Sequence, residues 1–289
     1  MSTSAPSGRT ALITGGSAGI GASAAAALAA RGWNVVVAGR DPDRLARIEA
    51  DLRARHPSQA FATKQFDVAA PDQVAAAILS VEQSFGQVDL LVASAGIGVM
   101  DFLDRMDPES GIRRQIDTNL LGTILVVQAV LPSMIARREG TIILVGSLAG
   151  LVATPTYSIY AATKFGLRGF ADALRREAGV WGIRVVHFLP GAVDTGFAEE
   201  SVARRRTRLR TPRRWVLSVE ATGTAIADLA DRPKPFVVLP WRMRPILWLA
   251  RLWPGLVDWA TERYFVRRER GVELGEGPSG RNGGPDQRL

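Results

Sequence analysis

Short apolar runs and longer amphipathic stretches alternate along most of this chain. Apolar runs, rich in Val, Ile and Leu except for the Phe/Ala run at 60–66, fall at residues 10–14, 33–38, 60–66, 88–93, 140–146, 183–188 and 236–239. Each has the length of a buried strand and is followed by a turn. All but the last lead into a longer helix-like stretch, as at 19–31, 71–85, 110–136 and 157–180. Asp41-Pro42 marks one helix start, because the carboxylate can cap free N–H groups and a proline at the first position gives up no hydrogen bond. Strand–helix alternation of this kind predicts a doubly wound parallel sheet of Rossmann type, three layers deep, in a single α/β domain. Ligands in such folds bind beyond the carboxyl ends of the strands.

Composition narrows the chemistry. The 289 residues are 47% hydrophobic and 22% charged, as expected of a folded protein. Cysteine is absent, which excludes disulfides and thiolate catalysis. His56 and His187 are the two histidines, too few for a multi-histidine metal site, and no metal is expected. The net charge of +8 invites a nucleic-acid reading, but its distribution argues otherwise. Residues 1–200 hold 18 basic and 19 acidic residues, a net of −1, whereas 201–289 hold 18 and 9, a net of +9. Residues 1–8 read as a flexible start without a secretory pattern, and 271–289, rich in Gly with two prolines, read as a disordered tail. A cytoplasmic location is expected.

The first strand runs into Gly15-Gly16-Ser17-Ala18-Gly19-Ile20-Gly21. Glycines at this spacing allow a tight turn and a close approach of a pyrophosphate to the backbone. The following helix would offer free N–H groups and its positive dipole end to the phosphates. Gly15, Ser17, Gly19, Ile20 and Gly21 are therefore candidate cofactor contacts. A P-loop would need a Lys after the glycines, and none follows. The second strand ends in Gly39-Arg40, where an NAD site usually places an acid for the ribose 2′-OH. A guanidinium there suits a 2′-phosphate, which favours NADP over NAD. An exposed loop cation is the plainer alternative.

Ser147 follows the fifth apolar run directly, and Tyr160 and Lys164 lie one helical turn apart farther on. An ammonium near a phenol stabilises the phenolate, so Lys164 is expected to lower the pKa of Tyr160. Tyr160 could then exchange a proton with a carbonyl or alcohol oxygen held by Ser147. A serine hydrolase is disfavoured, since Gly146-Ser147-Leu148-Ala149-Gly150 lacks the G-x-S-x-G elbow. His187, inside an apolar run, reads as a core residue.

These features together resemble the short-chain dehydrogenase/reductase family over roughly residues 9–240. The matching residues are Thr14-Gly15-x-x-x-Gly19-x-Gly21, Asp67-Val68, Asn119, Ser147, Tyr160-x-x-x-Lys164 and Pro190-Gly191-x-Val193-x-Thr195. The resemblance implies Tyr160 as general acid/base, with Lys164 tuning it and holding the nicotinamide ribose. It implies that Ser147 orients the substrate and that Asn119 positions Lys164 through a water. Asp67 and Val68 would meet the adenine. Pro190, Gly191, Val193 and Thr195 would meet the nicotinamide. Relatives often carry Asn-Asn-Ala-Gly where this chain has Ala93-Ser94-Ala95-Gly96, and Ala95-Gly96 keeps close approach to the cofactor open. Ala18 stands where many NADP-preferring relatives carry a basic residue, so the NADP reading rests on Arg40. The family also implies a homodimer or homotetramer through 110–136 and 157–180.

The expected reaction is NADP(H)-dependent hydride transfer between nicotinamide and a carbonyl or secondary alcohol of a small, lipophilic substrate. A membrane-associated lipid- or acyl-modifying reductase and a cofactor-binding regulator or scaffold on the same fold stay open as alternatives. Residues 194–217 are expected to form a substrate lid, rich in Arg204, Arg205, Arg206, Arg208, Arg210, Arg213 and Arg214. Beyond it, 241–270 interleaves Trp241, Trp248, Trp253 and Trp259 with Arg242, Arg244, Arg251 and Arg263. Pro245, Arg251 and Pro254 break it up too often for a membrane span. Three readings remain for it: a helix over the pocket, a subunit contact, or a peripheral membrane contact.

Overall fold

A computed structural model of the chain describes residues 6–195 and 213–270. Seven parallel strands form one sheet: β1 Thr10–Thr14, β2 Asn34–Gly39, β3 Phe61–Gln65, β4 Leu90–Ala93, β5 Gly140–Val145, β6 Ile183–Pro190 and β7 Phe236–Leu239. Their order is 3-2-1-4-5-6-7. The strands match the apolar runs to within a residue or two; the central ones do so because a strand buried on both faces needs apolar side chains throughout, while the edge strands β3 and β7 are partly exposed. Successive residues then feed opposite layers. Leu12, Val36, Leu91 and Ile142 face one core, and Ile13, Val35, Val37 and Ile143 face the other.

Helices α1 (Gly19–Ala29), α2 (Pro42–Arg55) and α6 (Val219–Asp231) cover the second core. Helices α3 (Pro71–Phe85), α4 (Pro108–Arg137) and α5 (Ser158–Gly179) cover the first. Asp41 caps α2 as expected, accepting from the N–H groups of Asp43 and Arg44, each at 3.0 Å. Among the described residues α4 alone is long and apolar enough to cross a membrane, with 30 residues and a most apolar stretch of mean hydropathy 1.8. It contributes Val126, Val127, Val130 and Met134 to the core instead. Two π-helical stretches, Pro108–Arg113 and Asp117–Leu121, interrupt it.

After β7 come α7 (Met243–Leu252), α8 (Pro254–Thr261), a π turn at Glu262–Val266 and a last turn at Arg267–Arg270. Winding changes direction between β1 and β4, which opens a crevice at their carboxyl ends.

Candidate active site

The crevice is floored by glycine. Gly15 and Gly19 adopt φ of +65° and +52°, a region that side chains resist. A Cβ at Gly15 would come within 2.7 Å of the Ala95 backbone, and one at Gly21 would overlap the Gly15 carbonyl. The turn thus seats α1 tightly against the ends of β1 and β4. Ala18 opens α1 without a side-chain cap, and no acid lies in the first turn. The free N–H groups and positive end of the helix dipole face no competing carboxylate of that turn, which fits a pyrophosphate. The cradle also has a lid edge, for a Cβ at Gly19 would meet the Thr195 side chain at 3.2 Å. The segment bearing Pro190, Gly191, Val193 and Thr195 therefore closes over the glycine turn. Val193 pairs with Leu217 in an isolated bridge.

At the far end of the crevice Arg40 and Asp67 approach each other, Nη1 to Oδ2, at 3.7 Å. Both are substantially exposed, so this contact is weak and exchangeable. Ser17 lies against Gly39 at the end of β2, where a side chain would meet its Oγ at 3.1 Å. Val68 is buried against α4, because Gly122 has no side chain to displace it.

The second cluster sits at the end of β5. Ser147 caps the turn Leu148–Gly150, its Oγ accepting from the Ala149 N–H at 3.1 Å. It is also hydrogen-bonded to the Tyr160 hydroxyl. Lys164 is 5% exposed, and its Nζ donates to the Val145 carbonyl at 3.1 Å. The ammonium lies 5.6 Å from the Tyr160 ring centroid. Gly150 lets the turn press against α5 at the Lys164 carbonyl. The strand end and one helical turn thus bring together the three residues that the spacing singles out.

One expectation is overturned. Tyr160 is not lowered in the free chain: its pKa is pushed up to about 12. Burial is the main cause, with Tyr157 adding to it, while the hydrogen bond with Ser147 acts the other way. Lys164 is itself pushed down to about 8 by burial. Lys164 is not among the groups that shift Tyr160 in this arrangement; its ammonium donates to the Val145 carbonyl instead.

Asn119 is fully buried in the second π turn of α4, and its side chain is occupied. Oδ1 accepts from the Ile97 N–H at 2.7 Å, and Nδ2 donates to the Ile97 carbonyl at 2.8 Å and to Thr163 Oγ1 at 3.3 Å. It straps the segment after β4 to α5 beside Gly96, where a Cβ would lie 3.9 Å from Lys164 Nζ. Thr163 in turn donates to the Tyr160 carbonyl at 2.7 Å. The sequence reading missed Thr163 and Tyr157, whose ring meets Tyr160 edge-on at 6.0 Å. Their nearness to Tyr160 and Lys164 was the only available signal. His187 is a core residue as expected. It is buried below Gly146, stacks edge-on with Phe236 and is pushed down to about 4, chiefly by burial.

Among the described residues no group of three His, Asp or Glu could hold a metal. Arg204, Arg205, Arg206, Arg208 and Arg210 of the expected lid lie outside the described residues.

A family model described as short chain dehydrogenase matches residues 9–206. The chain belongs to the short-chain dehydrogenase/reductase family. The oxidoreductase UcpA of Escherichia coli is 38% identical over 201 residues, 68% of this chain and 74% of that protein. Dehydrogenase/reductase SDR family member 7B of Bos taurus is 30% identical over 253 residues, 85% of this chain and 78% of its own. A short-chain dehydrogenase from Sphingobium yanoikuyae, solved with NADPH, superposes with a TM-score of 0.73 at 26% identity, covering 94% of this chain and 99% of that one. As a short-chain dehydrogenase/reductase, this protein is an NAD(P)-dependent oxidoreductase acting on CH–OH and C=O groups. Enzymes of this family bind small carbonyl or alcohol substrates.

Proposed function

We propose that this short-chain dehydrogenase/reductase is an NADP(H)-dependent reductase or dehydrogenase of a small lipophilic carbonyl or secondary alcohol, with Tyr160 as its general acid/base. One observation carries the reading: the hydrogen-bonded Ser147–Tyr160 pair at the mouth of β5, with Lys164 buried one turn away. The bound nicotinamide supplies the hydride. Ser147 orients the substrate oxygen by hydrogen bond. Tyr160, protonated at neutral pH, donates its proton to that oxygen as reduction proceeds, and takes one back in oxidation. Lys164 supplies positive charge at the base of the phenol and holds the nicotinamide ribose. Asn119 braces the Ile97 segment and, through Thr163, the helix that carries both residues. It acts as a positioning residue.

The cofactor would lie along the glycine cradle. Gly15, Ser17, Gly19, Ile20 and Gly21 would meet the phosphates, and Asp67 and Val68 the adenine. Ala95 and Gly96 would line the middle of the site, and Pro190, Gly191, Val193 and Thr195 its nicotinamide end. Arg40 supports NADP over NAD: it sits at the end of β2, half-exposed and paired only loosely, with no carboxylate at Gly39. The relative from Sphingobium yanoikuyae was solved with NADPH. Lipophilicity of the substrate is supported by the aromatic segment that starts beside Gly191. Exposed Ile116, Leu121 and Phe165 on α4 and α5 support a homodimer or homotetramer through these helices.

Spectrophotometric turnover of NADPH against NADH over a panel of carbonyls tests the reading. A preference for NADPH that Arg40→Ala erases is expected. Cofactor binding with no turnover of any carbonyl or alcohol would favour the regulator instead.

A further inference from the structure

The carboxyl-terminal segment carries a surface that hydride transfer does not use. At about 100° per residue, Trp241, Pro245, Trp248, Leu249 and Leu252 share one arc of α7 and its approach. Met243, Leu247 and Ala250 fall on the opposite arc and are the partly covered ones. The apolar stripe therefore faces away from the protein: Trp241 and Trp248 are each 67% exposed, and Leu252 is 50% exposed. Trp253, between the helices, and Leu256 and Trp259 on α8 are also more than half exposed. Soluble proteins rarely leave so many large apolar side chains of one short segment exposed without a partner.

Charge selects the partner. Arg242 and Arg244 project from the two shoulders of the stripe, and Arg263 follows α8. All three are exposed, and none forms an ion pair among the described residues. Of the acids on the two helices and the π turn, Glu262 is already bound to Arg267 at 2.7 Å, and Asp258 is exposed on α8, so the arginines remain in excess. A second copy docking symmetrically would bring these arginines against one another. An anionic bilayer satisfies both features, with indole rings at headgroup depth and guanidinium groups on lipid phosphates. At ten and eight residues, divided at Pro254, α7 and α8 are too short to span and suited to lie flat.

The segment is also tied across the active-site edge. It leaves β7 where the Gly191 N–H donates to the Leu239 carbonyl at 2.7 Å. It ends where Arg270 grips Asp104, in the loop after β4, at 2.7 and 3.1 Å and stacks on Phe102. Both anchors follow the carboxyl ends of strands, the side on which the cofactor crevice opens. We propose that this Trp/Arg strap is a peripheral docking surface for anionic phospholipid bilayers, which seats the rim of the active site against the lipid. The docking itself stands independently of the catalytic reading; only its link to substrate supply rests on that reading.

Full-length protein mixed with phosphatidylcholine vesicles, with and without phosphatidylglycerol, tests this by co-sedimentation. Strong binding to the anionic vesicles is expected, weak binding to the neutral ones, and release by salt. Trp248→Ser with Leu252→Ser should abolish binding. Arg242→Glu with Arg244→Glu should weaken anionic binding by at least about tenfold, since each juxtamembrane arginine contributes roughly fivefold. All four positions are exposed, so circular dichroism and NADPH titration should match wild type. Tyr160→Phe should bind vesicles undiminished, which separates docking from catalysis. The proposal is overturned if wild type ignores anionic vesicles or if the substituted proteins still pellet. It is equally overturned if Trp248→Ser with Leu252→Ser merely converts a dimer to a monomer in ultracentrifugation while wild type binds no vesicles.

Discussion

The two ends of the functional surface treat polarity in opposite ways. At the end of β5, Lys164 and Tyr160 are drawn into the protein and their charged forms are penalised, so each shifts away from its ordinary pKa. Along α7 and α8, aromatic rings are turned out to solvent, and Arg242, Arg244 and Arg263 are exposed beside them without an ion pair among the described residues. Neither arrangement serves folding. Burying an ammonium and exposing tryptophans both cost stability, and such costs mark sites kept for chemistry or contact. The lesson lies in the direction of the violation. Chemistry needs polar groups inside, where the low dielectric strengthens them; a surface-docking element needs apolar groups outside.

The comparison breaks most sharply at Tyr160. Tyr160→Phe should lower turnover by roughly 10³-fold while NADPH binding, followed by fluorescence titration, stays intact. Undiminished turnover would remove Tyr160 from the chemistry altogether. The core beneath gives the next effect. The His187 imidazole titrates near 6.5 unfolded and about 4 folded, so the unfolded chain binds more protons between those values. Stability present above pH 6.5 should therefore fall by about 3 kcal/mol as pH drops to 4. In His187→Leu, urea unfolding across that window should show much less of this loss. A smaller effect is expected at Gly21→Ala, about 2 kcal/mol by urea unfolding with weakened NADPH binding, because a Cβ there overlaps the Gly15 carbonyl. The smallest belongs to the strap. Arg270→Ala releases a surface anchor on Asp104 and should leave the melting temperature unchanged while altering KM for a lipophilic carbonyl. A fall in melting temperature as large as that of Gly21→Ala would make the anchor structural.

Much of the fold was legible because its central strands are buried on both faces, unlike the edge strands β3 and β7. Runs such as Thr10–Thr14 and Gly140–Val145 then carry a signal that no half-exposed strand could match. Helix starts with local chemistry, such as Asp41-Pro42, were legible for the same local reason. The Tyr160–Lys164 pairing follows from helical periodicity alone. Its placement against Ser147 required β5 and α5 to meet. The pKa of Tyr160 was read with the wrong sign, because spacing reports proximity to Lys164 but not the desolvation of both groups. The strap's meaning was equally out of reach, since a Trp/Arg pattern is the same whether its apolar arc faces the pocket or the solvent.

By itself the sequence determined the strand–helix order, the glycine turn and the candidates for the reacting groups. These depend on neighbours within a turn or a strand. Only the tertiary structure decided which groups are buried together, which ion pairs cross the crevice, and which arc of α7 looks outward. Those depend on contacts between residues as distant as Asp104 and Arg270, where burial, not spacing, sets the energy.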